Sequence, residues 1–107
     1  MYDYTVNFKG IESYIEMHYA IATDLDFPEY YGCNWDAFWD CLTDMCSMTP
    51  LHIEIIGLEE LTVEKYGDSA ETMLRILKRF KHVYNDKYAH LISIEIVHED
   101  GRRESIE

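Results

Sequence analysis

Phe27-Pro28-Glu29-Tyr30-Tyr31-Gly32-Cys33-Asn34-Trp35-Asp36-Ala37-Phe38-Trp39-Asp40 is the stretch from which the rest of the chain can be read. Pro28 and Gly32 punctuate a loop. Asn34 suits the N-cap of a helix running to about Cys46, where its side chain accepts a first-turn backbone N–H, and Trp35 opens that helix. At 100° per residue, Phe38, Cys41, Leu42 and Met45 fall on one side, while Asp36, Asp40 and Thr43 fall on the other with Trp39 beside them. The first set is core and the second faces water.

Two carboxylates at i and i+4 repel by roughly 0.2 to 0.5 kcal/mol, a cost that a helix serving only as scaffold has no reason to carry. Trp39 on the flank of that stripe is equally unneeded for folding, and Trp and Tyr are enriched at binding hot spots. The bland alternative is that Asp36 simply favours the helix dipole and that the aromatics are incidentally exposed. Taken together, the aromatics and carboxylates read as a recognition surface.

Working outward, Tyr2, Tyr4, Val6 and Phe8 alternate with polar residues, as in a strand, and Gly10 breaks the pattern. A first helix then runs to about Leu25. It starts either with the capping-box sequence Ser13-Tyr14-Ile15-Glu16 or earlier, with Ile11 inside it. After Pro50, the run Leu51 to Ile56 is a second strand closed by Gly57. Residues 58 to 66 form a short helix or turn. Asp68-Ser69-Ala70-Glu71 opens a helix whose Met73, Ile76, Leu77, Phe80 and Val83 recur at 3 and 4 spacing, ending near Asn85. Leu91, Ile92, Ile94, Ile96 and Val97 make a third strand, and Asp100-Gly101 turns into a charged tail. Strands separated by helices favour a parallel sheet with right-handed crossovers, so the expected class is α/β.

A chain of 107 residues, 48% hydrophobic and 28% charged, is one folded domain, here taken as residues 1–107 with 99–107 as a charged C-terminal extension. No apolar run approaches the roughly 20 residues needed to span a bilayer. Met1-Tyr2-Asp3-Tyr4 lacks the basic and apolar regions of a signal peptide, which leads us to expect a cytoplasmic protein.

Charge narrows the function classes. Residues 1 to 64 hold thirteen Asp and Glu against the single Lys9, whereas residues 65 to 107 hold eight acidic and eight basic residues, so the whole net charge of −12 lies in the half that carries the motif. Such a field repels phosphate backbones and argues against direct nucleic-acid binding. It attracts a basic partner and speeds encounter with it, although acidity by itself also serves solubility.

Cys33, Cys41 and Cys46 leave one thiol over in any disulfide scheme and have no zinc-site spacing, so reduced thiols and no metal are expected. Cys41 reads as core, Cys46 as core or boundary, and Cys33 as a loop thiol. His18, His52, His82, His90 and His98 are scattered without a pairing motif, which favours surface or boundary roles.

The segment Pro28-Glu29-Tyr30-Tyr31-Gly32, followed by Asn34, Asp36, Ala37, Trp39, Asp40, Cys41, Leu42 and Thr43, resembles the signature loop and second helix of the barstar family, bacterial intracellular ribonuclease inhibitors. Outside it the likeness rests on element order, chain length and an echo at Ala70-Glu71. The resemblance implies a three-stranded parallel sheet with helices packed on it, no catalysis, no cofactor, no small-molecule substrate and a 1:1 complex with a basic ribonuclease or ribonuclease toxin. It further implies a partner-binding set of Tyr30, Tyr31, Gly32, Asn34, Trp35, Asp36, Trp39, Asp40, Thr43, Asp44 and Arg79. In that set Asp40 mimics the scissile phosphate, Asp36 pairs with a second cation, Tyr30 and Tyr31 pack across the loop and Trp39 covers the rim. The chain departs from the family pattern in three places: Arg79 stands where a glutamate is expected, Trp35 replaces an aliphatic residue, and the chain continues past the third strand.

Two rivals come from other classes. A small hydrolase or nuclease could use Asp36 and Asp40 to hold Mg²⁺, but no lysine or histidine in the motif supports a reaction. An acidic interaction module could bind a toxin or regulatory protein that is not a nuclease.

Overall fold

The computed structural model describes residues 2–47, 50–87 and 91–107. In chain order, β1 is Tyr2–Asn7, α1 Tyr14–Asp24, α2 Trp35–Asp44, β2 Leu51–Ile56, α3 Val63–Tyr66, α4 Ser69–Lys87, β3 Ile92–Val97 and β4 Arg103–Ser105, with 3-10 turns at Met45–Ser47 and Leu58–Glu60. The sheet order is β1-β2-β3-β4; the first three strands are parallel and β4 runs antiparallel to β3. The α/β class and the parallel sheet are therefore as expected. The expectations for the Cys46 side chain and for His90 fall outside the described residues.

Strand alternation decides which face is covered. Val6, Ile55 and Ile96 lie in register and are buried, while Thr5, Glu54 and Glu95, the next row, point the other way. Ile21 and Leu25 of α1 and its C-cap, Phe38 of α2, and Met73 and Leu77 of α4 close on Val6, Ile53 and Ile55. Each such side chain taken from water contributes roughly 1.5 to 3 kcal/mol, so one face of three helices holds the sheet. Between β2 and the turn after it, Gly57 sits at φ 78° and lies so close to the chain just past β1 that a Cβ would be 2.9 Å from the Lys9 nitrogen. Only glycine fits there.

The charged tail corrects the expected three strands to four. A turn at His98–Arg102, with the Gly101 N–H donating to the His98 carbonyl at 2.9 Å, sends Arg103–Ser105 back along β3. The physical reason lies on the uncovered face. Glu54 and Glu95 stand directly opposite one another, and like charges so placed destabilise a sheet. Arg103 Nη1 lies 3.2 Å from Glu54 Oε1 and 3.7 Å from Glu95 Oε1. His52 Nε2 lies 3.5 and 3.2 Å from the same two carboxylates, and its Nδ1 is 2.8 Å from Ser93 Oγ. Parallel sheets are ordinarily covered on both faces; here a polar network takes the place of the second layer. Ile106 then buries itself, its N–H donating to the Ile94 carbonyl.

Candidate partner-binding surface

The surface begins where α1 ends. Leu25 caps α1, and the Phe27 N–H returns to the Ala22 carbonyl at 2.8 Å, so the chain leaves the helix already turned toward α2. The Tyr31 N–H donates to the Pro28 carbonyl at 3.0 Å, closing the turn that carries Tyr30. Tyr30 is 78% exposed and Tyr31 only 8%. Tyr31 was expected on the surface beside Tyr30; its ring is instead interior, packed on Phe27 and His18, because its hydroxyl has a buried partner 2.7 Å away in His18 Nδ1. Burial raises the Tyr31 phenol well above its ordinary value.

Asn34 caps α2 as anticipated. Its Oδ1 accepts the Ala37 N–H at 2.8 Å, and its Nδ2 donates to the Gly32 carbonyl at 3.2 Å. A Cβ on Gly32 would lie 3.2 Å from that Nδ2, so Gly32 leaves the room in which the cap forms. Both residues position the helix. The next residue back, Cys33, takes the left-handed conformation at φ 54°, and its thiol is half-buried in the loop.

Along α2 and its C-cap, Phe38, Cys41, Leu42 and Met45 are buried and Asp36 and Asp40 exposed, as expected; Asp44 is exposed too, whereas Trp39 and Thr43, expected to face water, are half-buried. Burial, followed by the carboxylates of Asp44 and Asp40, pushes the Cys41 thiol pKa up, keeping it protonated. Thr43 donates its hydroxyl to the Asp40 carbonyl at 2.8 Å. Trp35 anchors the helix, its ring 4.8 Å from His18 and 5.5 Å edge-on to Phe38. Among the described residues, no side chain pairs with the carboxylate of Asp36 or Asp40.

Arg79 joins this surface from α4. Its guanidinium carbon lies 4.6 Å above the Trp39 ring, within the range of a cation–π contact. Between α2 and α4 runs a groove of about 460 Å³ whose walls are Trp35, Asp36, Trp39 and Asp40 on one side and Thr72, Arg75, Ile76 and Arg79 on the other. The structure thus gathers Trp35, Asp36, Trp39, Asp40 and Arg79 at one groove; Gly32 and Asn34, both exposed, lie outside its lining and form the α2 cap, and Tyr31 is buried.

Sequence reasoning missed Arg75 and Thr72 as groove residues, and it misplaced His18. The signal for Arg75 was its i, i+4 spacing to Arg79. His18 is fully buried rather than at a surface or boundary, ringed by Tyr14, Tyr31 and Trp35. Its place on the stripe Met17, His18, Ile21, Leu25 could have revealed it. Burial lowers its pKa from 6.5 to about 4, so the ring is neutral, and among the described residues Nε2 has no hydrogen-bond partner.

Among the described residues, no three His, Cys, Asp or Glu side chains are arranged to hold a metal ion, and no helix is long and apolar enough to cross a membrane. Residues 1–95 match the family model described as Barstar (barnase inhibitor). The chain belongs to the barstar family. Over 86 residues it is also 31% identical to a protein of Bacillus subtilis (strain 168) named "Putative ribonuclease inhibitor YrdF", covering 80% of this chain and 89% of that one. The barstar family is one of inhibitors, not of enzymes, and its matched residues include the loop, α2 and α4 but leave out β4.

Proposed function

We propose that this protein inhibits a basic ribonuclease by laying the exposed face of α2 and the Tyr30 loop over the enzyme's phosphate-binding site, in a 1:1 complex that shields the cell producing it from within. The observation that carries this reading is the Asp36–Asp40 pair, two carboxylates one helical turn apart, solvent-facing and without an internal partner among the described residues. A site that cleaves RNA must hold a phosphate and so collects cations. Asp40 offers such a site two oxygens in place of the phosphate, with bidentate, charge-assisted bonds to arginine. Asp36 engages a second cation, and Tyr30 and Trp39 supply rigid contact area around the pair.

Presentation matters as much as charge. The Asn34 cap, the Trp35 ring on His18 and the buried Phe38 and Leu42 fix α2 before any partner arrives, which reduces the ordering cost of binding. The chain itself needs no reaction. The family match and the ribonuclease-inhibitor name of the relative support this reading.

Asp40→Ala is the decisive variant. Against a ribonuclease that the parent inhibits, it should weaken binding by about 3 kcal/mol or more, roughly a hundredfold, because partner cations are left buried and unpaired. Folding stability, followed by urea denaturation, should move by less than about 1 kcal/mol, since the side chain is exposed. An unchanged inhibition constant would remove Asp40, and with it the phosphate-mimic mechanism.

A further inference from the structure

The groove has walls of opposite charge. On α2 stand Asp36 and Asp40; facing them on α4 stand Arg75 and Arg79, and among the described residues no ion pair closes the gap between the two pairs. The neighbouring walls therefore present acid and base that are not ion-paired among the described residues to whatever lies across them. Arg79 is not free to swing away at no cost, because its guanidinium rests 4.6 Å over the Trp39 ring, and Trp39 flanks the two aspartates on α2. Arg75 lies one turn earlier on the same helix. In the sequence preceding Lys65 the only Lys or Arg is Lys9, so these two arginines bring positive charge to an otherwise acidic surface.

We propose that Arg75 and Arg79 make the α4 wall a charge filter that sets partner choice: the protein fits a basic ribonuclease that presents an acidic side chain opposite α4, and it disfavours one whose cationic surface continues across that wall. The inference rests on the ribonuclease-inhibitor reading and deepens it. The physical cause is simple. A uniformly basic site gains at Asp36 and Asp40 but meets two guanidiniums where it needs a carboxylate, and desolvating like charges against each other is the usual way an interface rejects a wrong partner. A site with an acid placed to meet Arg79 gains at both walls.

The probe is barnase, the ribonuclease in the family's description, titrated by calorimetry with the parent, Arg79→Ala, Arg79→Glu, Asp40→Ala and the Arg79→Glu, Asp40→Ala double variant. Circular dichroism checks that each variant is folded, and each change lies on an exposed side chain. Arg79→Ala should tighten binding and Arg79→Glu should tighten it further, by about tenfold or more relative to the parent, with the gain shrinking as salt rises. Asp40→Ala should weaken binding in both backgrounds. If Asp40→Ala weakens binding while the Arg79 variants stay within about twofold of the parent, the inhibitor face stands and the filter is refuted. If Arg79→Glu weakens the complex, the parent arginine is an attraction rather than a filter, and the inference is likewise overturned. If no folded variant binds barnase, Arg79 is not what excludes it and the filter fails, and if Asp40→Ala leaves binding unaltered, the failure belongs to the inhibitor reading.

Discussion

Protonating His18 would place a charge inside a cage of Tyr14, Tyr31 and Trp35, with Tyr31 Oη as the only polar contact among the described residues. Between pH 6.5 and about 4 the unfolded chain takes up a proton that the folded ring refuses, so stability should fall as pH drops through that window, by up to about 3 kcal/mol. His18→Gln keeps a hydrogen-bonding side chain but does not titrate. Urea denaturation across pH should show a shallower loss in the variant than in the parent, and identical slopes would contradict a buried neutral imidazole. The same pair shows what sequence could not give at this scale. Tyr30 and Tyr31 are neighbours in a loop, where no periodicity separates an outward ring from an inward one. The choice is made by a hydroxyl finding His18, thirteen residues away. By contrast Asp36, Asp40 and Trp39 were legible, because they lie on a helix whose 3.6-residue period assigns faces without tertiary information.

Helices and strands were legible where their signals are local. Asn34 at the head of α2 is such a signal, and its cap bond to the Ala37 N–H is present at 2.8 Å. Asn34→Ala should therefore cost about 1 kcal/mol of stability by the same denaturation measurement. No loss would mean that Gly32 and the preceding turn set the start of α2 unaided. β4 was hidden for the opposite reason. Arg102-Arg103-Glu104-Ser105 has neither an apolar face nor β-branched residues and reads as a solvated tail; it becomes a strand because Glu54 and Glu95 meet across β2 and β3 and Arg103 relieves them. The groove was half legible. The acidic wall follows from α2 alone, whereas the opposite wall depends on how α4 packs beside α2, which no window of sequence contains.

At the scale of the whole molecule, charge and fold are aligned. The net charge of −12 belongs to residues 1 to 64, and the sheet places β1 and β2, the strands of that half, side by side, with α1 and α2 packed over them. On the inhibitor reading we propose, a basic enzyme approaching by diffusion would be drawn to this half and would meet rigid aromatic area on the exposed α2 face. The later half supplies the opposite wall of the groove, Arg75 and Arg79, which in our proposal would choose among such enzymes. The measurement that bears most directly on this account is RNA cleavage by a panel of basic bacterial ribonucleases, barnase included, each assayed with the protein added at equimolar concentration. At least one member should lose its activity stoichiometrically while the protein alone leaves RNA intact; RNA cleavage by the protein itself, or a panel that is wholly unaffected, would contradict the account.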